Sequence, residues 1–151
     1  MRTNHGKNHL KVLALDLGDV HVGVAISDDT KTIGAPLTTI AAHKLQTELA
    51  QLISLYMVDT IVVGLPITLR GTESQQTIKI RQTFEQLQQK FPQCTFVLWD
   101  ERLTSKQASI ISQQIGKVPK TKQHAIAASI MLGSYLDYLR FQKERVDQPS
   151  E

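Results

Sequence analysis

The chain has 151 residues, a formal net charge of +3, and 41% hydrophobic and 21% charged residues, the balance of one globular domain with a sizeable core. Its single cysteine, Cys94, rules out an internal disulfide and a cysteine-built zinc cluster, and no apolar run approaches membrane-spanning length. The mild positive charge permits a nucleic-acid partner without demanding one, and the start of the chain lacks the apolar stretch of a signal peptide, so a cytoplasmic protein with no membrane association is expected.

Residues 1–9 are polar and read as a flexible terminus. Lys11–Asp16 and Val22–Ser27 are short apolar runs bounded by Gly and Asp, which predicts two strands. Their short connection makes them an antiparallel hairpin. Ala35–Ile40 reads as a third strand, and Pro36 puts it at a sheet edge. His43–Met57 carries Leu45, Leu49, Leu52 and Tyr56 at helical spacing. Thr60–Leu65 is wholly apolar apart from its first residue, as in a buried parallel strand. Gly71–Phe91 reads as a helix with Ile80, Phe84 and Leu87 on one face, and Thr95–Trp99 as the fifth strand. Thr104–Ile115 has the capping box Thr104/Gln107 of a helix start. His124–Arg140 is apolar almost all round, which predicts a substantially buried helix, with a charged tail beyond it. The domain is expected to span residues 10–141, with residues 142–151 flexible. Three strands followed by alternating helices and strands give an α/β fold with a mixed sheet.

The chemistry gathers at strand ends. Asp16 closes an apolar strand, and Asp100–Glu101 closes another. If those strands are parallel, both acidic ends face the same sheet edge, where α/β proteins bind ligands. Converging carboxylates suit a hard divalent metal or general-base work; the plainer reading is a pair of solvated turn acids. The segment Gly64–Ser74 follows a strand but lacks the Gly-Lys-Ser/Thr ending of a nucleotide loop. Arg70 within it is a candidate phosphate contact, or simply part of a connection. Arg102 would clamp a phosphate or pair with a neighbouring carboxylate. Lys117, Lys120 and Lys122 form a basic cluster suited to a polyanion, though such clusters are often only solvated. Cys94 has no base partner and reads as structural. Ser27, His21 and Asp28 lack any nucleophile-elbow context for a hydrolytic triad.

Four motifs in order, DLGDVHVGVAISD, VVGLPITLRGTES, DERLTSKQA and HAIAASIMLGSYLD, resemble the YqgF family, described as pre-16S ribosomal RNA nucleases related to Holliday-junction resolvases. The resemblance covers Leu10 to Leu139. It implies a ribonuclease H-like fold: a five-stranded mixed sheet of order 3-2-1-4-5 flanked by helices. It also implies a divalent metal cofactor (Mg²⁺ or Mn²⁺) held by catalytic Asp16, Glu101 and the residue aligned with the family's third acid, which here is His124. A second departure is Val20–His21, where the family usually carries a basic pair. The implied mechanism follows two-metal logic, with Asp16 bridging the ions. The implied partner is structured nucleic acid, with processing of the 5′ end of pre-16S rRNA as the expected activity of a monomer or homodimer. The alternatives are cleavage of branched DNA, a non-catalytic RNA-binding factor, and a nucleotide-dependent phosphotransfer protein; the last would need a second such domain.

Overall fold

A computed structural model describes residues 10–68, 70–103 and 117–147. The chain forms β1 (Lys11–Leu17), β2 (His21–Ser27) and β3 (Gly34–Ala41), then a 3-10 turn and α1 (Leu45–Tyr56). β4 (Val58–Leu65), α2 (Gln75–Lys90) and β5 (Thr95–Asp100) follow, and the long helix Lys120–Asp147, here α3, comes last. The sheet order is β3-β2-β1-β4-β5, as expected. β1 pairs antiparallel with β2 and β2 with β3, while β4 runs parallel to β1 and β5 to β4. The carboxyl ends of β1, β4 and β5 therefore share one edge.

Alternation along the strands sorts the core into two faces. Leu13, Leu15, Val24, Ile61 and Val63 join Leu49 of α1 and Leu87 of α2 in one cluster. Val12, Ala14, Ala25, Val62 and Trp99 join Ala128, Met131 and Leu132 of α3 in the other. Two side chains close the hairpin region. Buried Ser27 accepts a hydrogen bond from the Val12 amide at 2.9 Å. Asp28 accepts from the Thr32 and Ile33 amides at 2.8 and 2.9 Å, and these bonds with that from Thr30 hold its carboxyl far below the usual range. Ser27 is thus a structural acceptor, in keeping with its rejection as a nucleophile. Cys94 is also structural: it is buried, and its thiol donates to the Val58 carbonyl.

Pro36 does lie on an edge strand, β3. Helix boundaries differ from expectation where turn chemistry intervenes. Gly71 has φ +78°, which ends any helical reading there, and α2 starts only after Ser74, whose hydroxyl accepts from the Thr77 amide at 3.4 Å. Helix α3 starts four residues earlier than expected, just after Pro119, and runs on to Asp147, so residues 142–147 continue the helix. Its burial is also narrower. Only the stripe Ala125, Ala128, Met131/Leu132 and Tyr135/Leu136 is buried, and Tyr138, Leu139, Phe141 and Val146 are exposed. The sheet gives one face of the helix its partner, and past Leu136 only Tyr138 keeps a ring contact with it, on Trp99. The capping box at Thr104 and the helix 104–115 lie outside the described residues.

Candidate active site

Strand alternation decides which acids meet. Residues 12, 14 and 16 of β1 face α3, so Asp16 does too. On β5, Trp99 faces α3 and Asp100 the other way; Glu101, one step on in a 3-10 turn, returns to the α3 side. Asp100 instead takes a bidentate grip on Arg102, at 2.6 and 3.0 Å to one carboxylate oxygen. Of the two neighbouring acids, only Glu101 joins Asp16.

Two glycines make room. Gly23 is the hairpin partner of Asp16, and a Cβ there would lie 2.0 Å from the backbone of His124. The absent side chain lets α3 pass close over β2, which brings the His124 ring to Asp16: Nδ1 lies 3.2 Å from Asp16 Oδ2. Gly64 on β4 lies on the other side of Asp16, since Leu15 pairs with Val63. A Cβ there would lie 2.6 Å from both Glu101 Oε1 and Met131 Sδ. The Glu101 carboxylate occupies the space this glycine leaves. A row Gly23–Asp16–Gly64–Glu101 thus crosses the sheet edge beneath the start of α3. His21 adds a second imidazole, its ring centroid 6.3 Å from that of His124.

The electrostatics follow from this crowding. Burial raises the Asp16 carboxyl, and the hydrogen bond and charge of His124 pull it partly back. Glu101 is pushed up to about 7, first by burial and then by the negative charges of Asp16 and Asp100. Two carboxylates that resist joint ionisation, with an imidazole beside them, form a donor set whose complement is a cation. Among the described residues no three His, Cys, Asp or Glu side chains are gathered closely enough to hold a metal as they stand. Asp16 and His124 are in contact, and Glu101 stands off across Gly64. Two carboxylates and an imidazole are donors of a kind that would suit a divalent ion.

The basic residues divide. The Arg102 fork is occupied by Asp100, so the intramolecular pairing is the one observed. Arg70 is exposed in the β4–α2 loop. Lys120 and Lys122 are exposed in the first turn of α3, within about one turn of His124, and Lys117 is exposed just before the helix. The spacing-based reading missed Gly23 and Gly64 as shapers of the site. The signal was present: a glycine inside a strand marks a close approach of another group.

Acids and an imidazole on the carboxyl edge of a 3-2-1-4-5 mixed sheet are in keeping with the class that the family match and the relatives define, a nuclease of the ribonuclease H-like fold. Residues 10–138 match the RuvX family, described as Holliday junction resolvase, and the chain belongs to that family. A Chloroflexus aurantiacus protein named "Putative pre-16S rRNA nuclease" is 40% identical over 140 residues, covering 89% of this chain and 91% of its own. A Rubrobacter xylanophilus protein of the same name is 38% identical over 128 residues, covering 84% and 92%. Among solved structures, T. thermophilus RuvC in complex with Holliday junction substrate superposes with a TM-score of 0.62 at 11% identity, covering 87% of this chain and 96% of that one. That likeness concerns the fold alone.

Proposed function

We propose that this protein is a divalent-metal-dependent endonuclease that processes the 5′ end of pre-16S rRNA in the cytoplasm. The observation that carries the reading is the convergence of Asp16 and Glu101 on one face, with His124 hydrogen-bonded to Asp16. The names of the relatives from Chloroflexus and Rubrobacter support the RNA substrate.

In this reading Asp16, Glu101 and His124 hold the metal. A divalent ion bound there would activate water and neutralise charge developing on the phosphate oxygens. Asp16 is fixed by its strand and by His124, so it defines where the scissile phosphate must sit. With His124 Nδ1 donating to Asp16, the ring's Nε2 keeps a lone pair for a ligand role. Glu101 carries a proton for part of the time near neutral pH, and a cation would drive it to the ionised form. Lys117, Lys120 and Lys122 bind the phosphate backbone; Arg70 and Arg102 extend that contact on the far side, Arg102 by exchanging Asp100 for phosphate.

The test is a side-by-side incubation of the protein with a precursor 16S transcript and a four-way DNA junction, with Mg²⁺ or Mn²⁺. Cleavage of the transcript near its mature 5′ end is expected, and Asp16→Asn should abolish it while leaving RNA binding largely unchanged. Cleavage of the junction alone would move the substrate to branched DNA. No cleavage of either, with RNA still bound, would leave an RNA-binding factor.

A further inference from the structure

A groove of about 430 Å³ opens where the edge strand β3 meets the start of α3, outside the acidic row. Its floor is apolar, from Pro36, Leu37, Ala125 and Ile126, and Lys122 stands at its rim. The Thr39 hydroxyl donates to the Thr121 carbonyl at 2.7 Å, which ties strand to helix at the groove's inner end. We propose that this groove receives one unstacked nucleobase of the nucleic-acid chain, next to the scissile phosphate. The proposal rests on the nuclease reading above and deepens it by naming a substrate feature: an unpaired nucleotide beside the cut.

Three observations select this occupant. The first is position. Asp16 pairs with Gly23, and Gly23 with Thr39, so the groove lies two strands from Asp16. Strands are about 4.8 Å apart, which makes the offset roughly 10 Å, within reach of a nucleotide adjoining the phosphate. The second is charge: the lining holds one cation, Lys122, and no acid. An apolar slot with a single rim cation matches a base flanked by a phosphate. The third is the edge itself. Pro36 has no amide proton to offer, and the β2–β3 register slips between Val24 and Ala25, leaving Leu37 without a partner. An edge broken in this way does not template an added peptide strand. The volume also falls within the roughly 300–1,000 Å³ of small-ligand clefts.

The test uses the full chain with a chelator present, so that binding is read without cleavage. A fully paired RNA duplex is compared with the same duplex carrying one bulged nucleotide. The wild type should bind the bulged duplex about tenfold more tightly, the scale of one stacked base. Ile126→Ala, which keeps the helix but removes part of the floor, should lose most of that preference and leave affinity for the paired duplex unchanged. A second arm needs no variant: adenosine 5′-monophosphate should shift the backbone amide resonances of residues 37–39 and 121–126. Equal affinity for the two duplexes, or a preference that survives Ile126→Ala, would overturn the proposal. So would amide shifts that lie elsewhere, or that follow protein dilution and not nucleotide, since the latter would indicate a second copy in the groove. Failure of the nuclease reading would appear differently, as no cleavage when metal is restored with these affinities intact.

Discussion

The two faces of the sheet are built from different residues. Beneath α1 and α2 the strands present Leu13, Leu15, Val24, Ile61 and Val63. Beneath α3 they present Val12, Ala14, Ala25, Val62 and Trp99, and toward the carboxyl edge Gly23 and Gly64 flank Asp16. Bulky residues fill the larger core under α1 and α2. At Gly23 and Gly64 the missing side chains let α3 and Glu101 come close to the sheet, which delivers His124 to Asp16 and leaves space for Glu101. One face mainly stabilises, and the other mainly positions.

The sharpest way to break this comparison is a pair of substitutions. Gly64→Ala pushes a methyl into the Glu101 carboxylate and the Met131 sulfur, both far ends of flexible side chains. The fold should survive with a small shift in Tm, while cleavage falls about 100-fold, the effect of roughly 1 Å of misplacement at a reacting centre. Leu13→Ala on the opposite face, fully buried, should do the reverse. It should lose about 2–5 kcal/mol of stability in denaturant unfolding and keep the kcat of the folded fraction. If both variants lose stability and activity in parallel, the division of labour between faces is wrong.

His124 sharpens the comparison, because it is the group that α3 brings to the site. Mg²⁺ prefers oxygen donors, and imidazole suits later transition metals. Cleavage should therefore be about tenfold faster with Mn²⁺ than with Mg²⁺. His124→Asp should recover Mg²⁺ activity. A His124→Ala variant with wild-type metal preference would reduce the imidazole to a helix-packing residue.

Glu101 tests the electrostatic cost of the positioning face. Its folded carboxyl titrates near 7 against 4.5 when free, so between those values the folded state holds more proton than the unfolded state. Stability must then fall as pH rises from about 4.5 to about 7. In chelator, Tm should drop by a few degrees across this window, and Glu101→Gln should flatten the slope. Adding Mn²⁺ should raise Tm most at the upper end. A wild-type slope that persists in Glu101→Gln would locate the proton elsewhere.

Much of this was legible in the sequence because it depends on short-range pattern. The hairpin, a buried parallel strand and the edge position of β3 follow from runs such as Val12–Leu15 and Thr60–Leu65 and from Pro36, while the full order of strands came with the family resemblance. The pairing of Asp16 with the end of β5 needed only parallel strands. Which of Asp100 and Glu101 would turn inward depends on the phase of alternation through the end of β5, and there the family resemblance chose Glu101. The roles of Gly23 and Gly64 were hidden, since a glycine records only that something comes close, and not what. The burial of α3 is narrower than its composition suggests for a related reason: Leu139 and Phe141 are apolar but exposed, and Tyr138 keeps only an edge contact with Trp99 of β5.

The smallest expected effect concerns the lysines that flank the positioning face. Lys117, Lys120 and Lys122 have no ion-pair partner among the described residues, whereas Arg81 and Arg102 are held by Glu73 and Asp100. A paired guanidinium must give up its carboxylate before meeting a phosphate, and an unpaired ammonium gives up only water. The lysines should therefore account for most of the salt dependence of RNA binding. Each phosphate contact removed lowers the slope of log affinity against log salt by about 1, so the triple alanine variant should lose up to about 3 in slope, with kcat preserved at saturating RNA. Replacing Arg102 alone should change the slope by less than any one lysine. If Arg102→Ala flattens the slope and the lysine variant does not, the backbone runs along the β5 side of the site, away from the groove between β3 and α3.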